Sequence, residues 1–168
     1  MEFRKATRAD LPALMTIIDE AIQLLKSQGS PQWQHGYGPS IEKITQDIQM
    51  QTLYVLAEQE ILALGALIPG VDPVYTAIEE GSWEGTGPYL SIHRVAVSQK
   101  AAGRGLAKQL LRSLIEESRQ QGITDVRIDT HEQNQGMQKA ILSTGFIYRG
   151  SVHFPIPDGK RRAYQNNW

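Results

Sequence analysis

Cysteine is absent from the 168-residue chain. That removes disulfides, thiolate metal sites and a cysteine nucleophile together, and it agrees with a reducing compartment. Long apolar runs are missing as well. The longest apolar-rich segment, Ile61 to Pro69, falls well short of the ~20 residues that cross a bilayer. The opening MEFRKATRAD holds no apolar stretch of the kind a secretory signal uses. Charge of one sign is also lacking: 17 Lys and Arg against 18 Asp and Glu leave a formal net charge of −1. The chain therefore has no electrostatic reason to seek nucleic acid or a membrane surface. No internal repeat, low-complexity tract or linker divides it. The expectations are one domain over residues 1–168, long enough to bury a real core, and a cytoplasmic location.

What is present is a clear alternation of element signals. Phe3–Thr7 reads as a short strand. Asp10 and Pro12 then open a helix whose Leu11, Leu14, Ile18, Ala21, Ile22 and Leu25 recur at helical spacing, and Gly29-Ser30-Pro31 ends it. QWQHGYGPS, residues 32–40, is an aromatic and glycine-rich loop, after which Ser40 caps a second helix to about Met50. Leu53–Glu58 and Ile61–Ile68 form a hairpin around Gln59-Glu60. Pro69–Pro88 is irregular, with room for a short helix near Val74–Glu80. From there the order is strand (Tyr89–Val97), helix (Gly105–Gln121), strand (Asp125–His131), helix (Asn134–Thr144) and a closing pair, Phe146–Phe154 with Arg161–Gln165. Hairpins early and strand–helix units late predict one mixed sheet with helices on both faces.

The segment RVAVSQKAAGRGLAKQLL, Arg94 to Leu111, carries the chemistry. An alternating strand enters a basic glycine turn that opens directly into an amphipathic helix. Such a turn presents backbone N–H groups and the positive end of a helix dipole to anionic oxygens, and its glycines let a phosphate approach the backbone. Two common phosphate motifs do not fit. The spacing of a Walker A loop is missing, and the third glycine of a dinucleotide fingerprint falls on Lys108.

The turn does resemble the signature of the GCN5-related N-acetyltransferase superfamily, in which a strand enters Gln/Arg-x-x-Gly-x-Gly/Ala and a long helix. The matching stretch is Ala102-Gly103-Arg104-Gly105-Leu106-Ala107, with Ala102 standing in place of Gln/Arg. RKATRADLPAL is similar to the family's opening strand and helix, and NQGMQKAILSTGF to its late helix and Gly-Phe segment. The resemblance implies an α+β, three-layer α/β/α fold: a mixed, mostly antiparallel sheet of about seven strands, splayed between strands 4 and 5. It implies acetyl-CoA as acyl donor and no metal. The pyrophosphate would sit on Ala102–Ala107, and the pantetheine arm would pair with Val95, Ala96 and Val97. Asn134 and Met137, at the start of the last helix, would touch that arm.

Transfer of an acetyl group to an amine needs a neutral nitrogen, a stabilised carbonyl oxygen and a proton for the leaving sulfur. The tyrosine acid usual in the family is replaced here by Ile141, and the glutamate base of its histone-modifying branch by Ser91. His93 is the next base candidate, since imidazole suits proton transfer near neutral pH. His131 is a second, and Tyr164 is the candidate acid. A water chain acting as base is the remaining route. The loop with Trp33, Gln34 and Tyr37 would rim the acceptor pocket by resemblance. Arg94 and Asp129 are charges within neighbouring strands; buried charges need partners, so the two are expected to share a hydrogen-bonded network or to face the acceptor cleft together. An arginine within reach would suit an acceptor carboxylate.

The function expected is an acetyl-CoA-dependent N-acetyltransferase acting by direct attack on a primary amine of a small molecule or peptide. A non-catalytic coenzyme A-binding sensor or interaction module is the alternative, and a homodimer is an assembly open to either.

Overall fold

The computed structural model describes residues 1–167. Among them, seven strands form one sheet in the order β1-β2-β3-β4-β5-β7-β6. The strands are β1 (Glu2–Lys5), β2 (Leu53–Ala57), β3 (Ile61–Pro69), β4 (Leu90–Val97), β5 (Val126–Thr130), β6 (Ile147–His153) and β7 (Lys160–Asn166). Every neighbouring pair is antiparallel except β4 and β5, which run parallel. The helices are α1 (Leu11–Ser27), α2 (Ile41–Gln49), α3 (Pro73–Thr76), α4 (Leu106–Gln120) and α5 (Gln135–Ser143).

Both faces of the sheet are covered. On one, Leu14, Ile17 and Ile18 of α1 and Ile44 of α2 meet Leu53, Val55, Leu64 and Ala66. On the other, the stripe Leu106, Leu110, Leu111, Leu114 and Ile115 of α4, joined by Ile141 of α5, meets Leu56, Ile92, Ile128 and Tyr164. A smaller cluster of Tyr75, Tyr89, Val152 and Ala163 lies beneath the irregular segment.

Local chemistry explains the element ends. The Ser40 hydroxyl accepts from the Lys43 N–H at 3.1 Å to cap α2, and Asn134 accepts from the Met137 N–H at 3.2 Å to cap α5. Asp10 behaves differently from a simple cap. It stands in helical conformation, and its carboxylate reaches back to the Thr7 N–H at 2.8 Å while accepting two bonds from Arg4. The first strand accordingly ends at Lys5, because Thr7 already begins that capping turn. The helix expected near Val74–Glu80 is one turn, Pro73–Thr76, capped by Asp72. It stops there because Glu79 turns away to pair with Ser151.

Candidate functional site

The site originates where the parallel pair parts. β4 and β5 are in register only from Leu90 to Ile92 against Val126 to Ile128. Beyond that point the edge of β4 has no strand partner on its β5 side, and a cleft of about 610 Å³ opens between the two strands. Its walls include residues 92–97 of β4 and Ile128, Asp129 and Thr130 of β5.

A bulge shapes the β4 wall. Leu64 pairs with Ala96 and Ala66 with His93, so Arg94 and Val95 together face Gly65 alone. Arg94 takes the left-handed conformation, φ 58°, which is strained for any residue with a side chain. Its guanidinium is gripped by Asp47 of α2, Nε to Oδ2 at 2.6 Å and Nη2 to Oδ1 at 3.1 Å. Gly65 stands opposite, where a Cβ would come within 3.2 Å of both Leu110 and Leu114 and those side chains would have to shift.

The glycine turn lies at the start of α4. Gly103 and Gly105 have φ of 82° and 70°, and a Cβ on either would meet no protein atom within 4 Å. Gly105 caps α4 with no side chain, so the first N–H groups of that helix have neither an intrahelical nor a side-chain acceptor. In the cleft, the Thr130 hydroxyl is buried with no hydrogen-bond partner. A backbone cradle for an anion, an unpaired strand edge and an orphaned buried hydroxyl together fit coenzyme A. Arg104, on the turn, pairs with Glu58 at 2.8 Å, both side chains being about half exposed.

His93 lines the cleft and belongs to a network. Its Nε2 is 3.0 Å from Asp72 Oδ2, and its Nδ1 is 4.0 Å from Asp129 Oδ2. Tyr75 donates to the same Asp129 oxygen at 2.6 Å. Burial pushes Asp72 upward, but the His93 bond and charge and the N–H groups of Val74 and Tyr75 outweigh it, so Asp72 is held below the usual carboxylate range. Asp72 therefore accepts the bond from His93 Nε2. Asp129 is pushed up by burial, despite the opposing pull of His93, Tyr75 and Arg161. Tyr75 is pushed up further, first by burial and then by the Asp129 charge.

The sequence-predicted residues divide between this cleft and elsewhere. Trp33, Tyr37, His93, Arg94, Val95, Ala96, Val97, Ala107, Asp129, Asn134 and Met137 line the cleft. Arg94 and Asp129 do not share a network: the first is held by Asp47 and the second by Tyr75, although both face the cleft. Gln34 is not in the wall. Its amide ties the loop back to the Ile22 and Gln32 carbonyls, and Gln32 takes the wall position, accepting from Asn134 at 3.2 Å. Tyr164 lies opposite Ile128 and shares its face, inside the α4 core, with its hydroxyl accepting from Arg162. It is fully buried and does not reach the cleft. His131 is outside the cleft wall too; its Nδ1 accepts from the Gln133 N–H, and burial, then the Arg161 charge, lowers its pKa. Sequence reasoning missed Asp47, Asp72, Tyr75 and Arg161. Only Asp72 carried a local signal, as an N-cap before the N1 proline of α3.

Comparison with known proteins agrees with this geometry. A sequence model described as "Acetyltransferase (GNAT) family" matches residues 18–146. The fold superposes on an acetyltransferase of the GNAT family from Streptococcus agalactiae with a TM-score of 0.89 at 36% identity, covering 99% of this chain and 95% of that one. AAC(6')-Ib, solved with acetyl-CoA bound, shares the fold with a TM-score of 0.69 at 20% identity over 98% of this chain and 92% of that one. N-acetyltransferase 8F1 of Rattus norvegicus is 39% identical over 61 residues, 36% of this chain and 28% of that protein. The matched stretches span less than a third of the length of such curated relatives.

Proposed function

This chain belongs to the acetyltransferase (GNAT) family, and from that premise we propose that it acetylates a primary amine of a small molecule or peptide by direct attack, with both substrates bound. The observation that carries the reading is the parting of β4 from β5. It leaves an unpaired strand edge and a carboxylate-oriented histidine in one cleft, whose wall the first turn of α4 enters at Ala107.

When bound, acetyl-CoA supplies the activated acetyl thioester. The first-turn N–H groups of α4 and the Gly103–Gly105 backbone hold its anionic end, and the edge of β4 from Val95 to Val97 aligns the arm. His93 takes the proton that the attacking nitrogen must lose. Asp72 fixes the tautomer that leaves Nδ1 as acceptor and stabilises the imidazolium that results. The new bond is C–N, the broken bond C–S, and the proton lost by nitrogen ends on the departing sulfur. Trp33 and Tyr37 wall the acceptor end, and Asn134, bonded to Gln32, ties that wall to α5.

The test is thiol release from acetyl-CoA against a panel of amino acids, polyamines, aminoglycosides, arylamines and peptides. Turnover with at least one amine is expected. Tight coenzyme A binding with no turnover of any amine would refute the transfer.

A further inference from the structure

Arg161 is the one arginine of the cleft wall whose charge is not matched by a carboxylate. It leaves β7 beside the parting and is 5% exposed. Nη1 donates to the carbonyls of Asp158 and Lys160, which closes the turn before β7. Among the described residues, Nε and Nη2 have no hydrogen-bond partner and no carboxylate oxygen lies within 4.0 Å of the guanidinium. Arg94, by contrast, is paired with Asp47 through both Nε and Nη2. A buried, always-charged group without a counter-ion is costly, and a guanidinium fork with two free N–H directions matches an oxyanion. Burial acts in the same sense, pulling Arg161 below its ordinary pKa more strongly than Asp129 and Asp158 raise it.

The sheet register places this group relative to the histidine. Ile92 faces Ile128 across the parallel pair, so His93 and Asp129, one residue on, share the opposite face. Asp129 pairs with Ala163, and Arg161, two residues along the same strand, projects to that face as well. His93, Asp129, Ala163 and Arg161 thus form a row with a small residue in its gap. Carboxylates stand at one end of the row, beside His93, and the unmatched guanidinium at the other. Phe154 and Ile156 complete the wall around it, with Phe154 5.8 Å below the guanidinium.

We infer that Arg161 is a binding residue for the carboxylate of an amino-carboxylate acceptor, whose amine lies at His93 and Asp129. This rests on the acetyl-transfer reading for the role of the amine, and on the Arg161 geometry alone for the carboxylate. A single carboxylate is favoured over a dianionic phosphonate because two carboxylates, Asp72 beside His93 and Asp129 in the row, already face the same space.

The test measures binding and turnover separately. Calorimetric titration of the coenzyme A complex uses the common L-amino acids paired with their decarboxylated amines, such as phenylalanine with phenethylamine, and the matching aminophosphonates. At least one amino acid is expected to bind tenfold or more tighter than its amine. Arg161→Met should abolish that preference while leaving the amine's affinity unchanged, and Arg161→Lys should restore part of it. Equal wild-type affinity for acids and amines would overturn the inference whether or not any variant folds. So would an unchanged ratio in a folded Arg161→Met protein, or a preference for aminophosphonates. Thiol release from acetyl-CoA, run on the same panel, separates the two claims. Acid-selective binding without release leaves the carboxylate site standing and removes the transfer. Release without acid preference does the reverse.

Discussion

Replacing Asp47 by alanine should destabilise the protein more than any other single change outside the apolar core. The side chains of Asp47 and Arg94 are 5% and 15% exposed, and they are joined by two short bonds. Removing one partner of a buried ion pair costs about 3–5 kcal/mol, because the survivor is left charged and unmatched. Arg94 opens onto the cleft, so water can recover part of that loss, and roughly 2–4 kcal/mol is the expected cost. The backbone acts in the opposite sense, because strain released with the clamp offsets part of that cost. A left-handed non-glycine residue stores about 1–3 kcal/mol of strain, and Arg94 at φ 58° is held in that state by Asp47. At about 2–4 °C per kcal/mol for a chain of this size, the melting temperature should fall by roughly 4–16 °C. Calorimetry gives the fall directly, and guanidinium denaturation gives the free energy. The double change Asp47→Ala with Arg94→Gly removes charge and strain together and should be less costly than the sum of the two single changes by at least about 1.5 kcal/mol. A loss below about 1 kcal/mol for Asp47→Ala, or strict additivity, would refute the claim that this pair clamps the bulge.

Three further outcomes follow from the same geometry. Gly105→Val should weaken coenzyme A binding at least tenfold, about 1.4 kcal/mol, in isothermal titration of protein shown to be folded; unchanged affinity would make the turn purely structural. His93→Ala should lower the acetylation rate more at neutral than at alkaline pH, where more of the amine is already deprotonated, and a uniform loss across a pH-rate profile would count against a base at this position. Asp129 is an acid whose folded pKa is raised, so the folded state gains relative to the unfolded one when Asp129 is protonated and loses as pH rises from the unfolded value through the folded one. Melting curves of Asp129→Asn should therefore match the wild type at low pH and exceed it progressively above the carboxylate range; a gain confined to low pH would contradict the sign.

Elements governed by local signals were legible in the sequence. Ser40 before a periodic run, Asn134 before another and the stripe from Leu106 to Ile115 each announce a helix through contacts within a few residues. The resemblance of the glycine turn then supplied the sheet and its parting. The chemistry of the cleft was only partly legible, because its partners are distant in the chain. His93 was visible as a candidate, but Asp72 lies 21 residues away and Asp129 reaches it from another strand. Arg94 reads in sequence as a charge in search of an acidic ligand. The fold instead bends it through a bulge to Asp47, 47 residues away. Nothing local forecasts a left-handed arginine. Arg161, next to Pro-Asp-Gly-Lys and another arginine, has the sequence context of a solvated turn, and only the register of β7 against β5 turns it inward. Gln34 and Tyr164 were misjudged for the converse reason: polar and aromatic side chains in promising segments, directed by the backbone into structural bonds.

The three register pairs between β4 and β5 also give the molecule a mechanical seam. Strands β1 to β4 form one half-sheet and β5 to β7 the other, and they are edge to edge only from Leu90 to Ile92; elsewhere α4, which packs on β2, β3 and β4 and touches α5, spans the join. Tension applied across the strands would concentrate on that short ladder, as a tear concentrates at the shortest stitch. A ligand lying in the parting with amide groups that pair with the free edge of β4 would extend that ladder and act as a staple between the halves. A chain divided in the loop between α4 and β5 would test the seam as a split protein, with two fragments whose reassembly depends on the molecule placed between them.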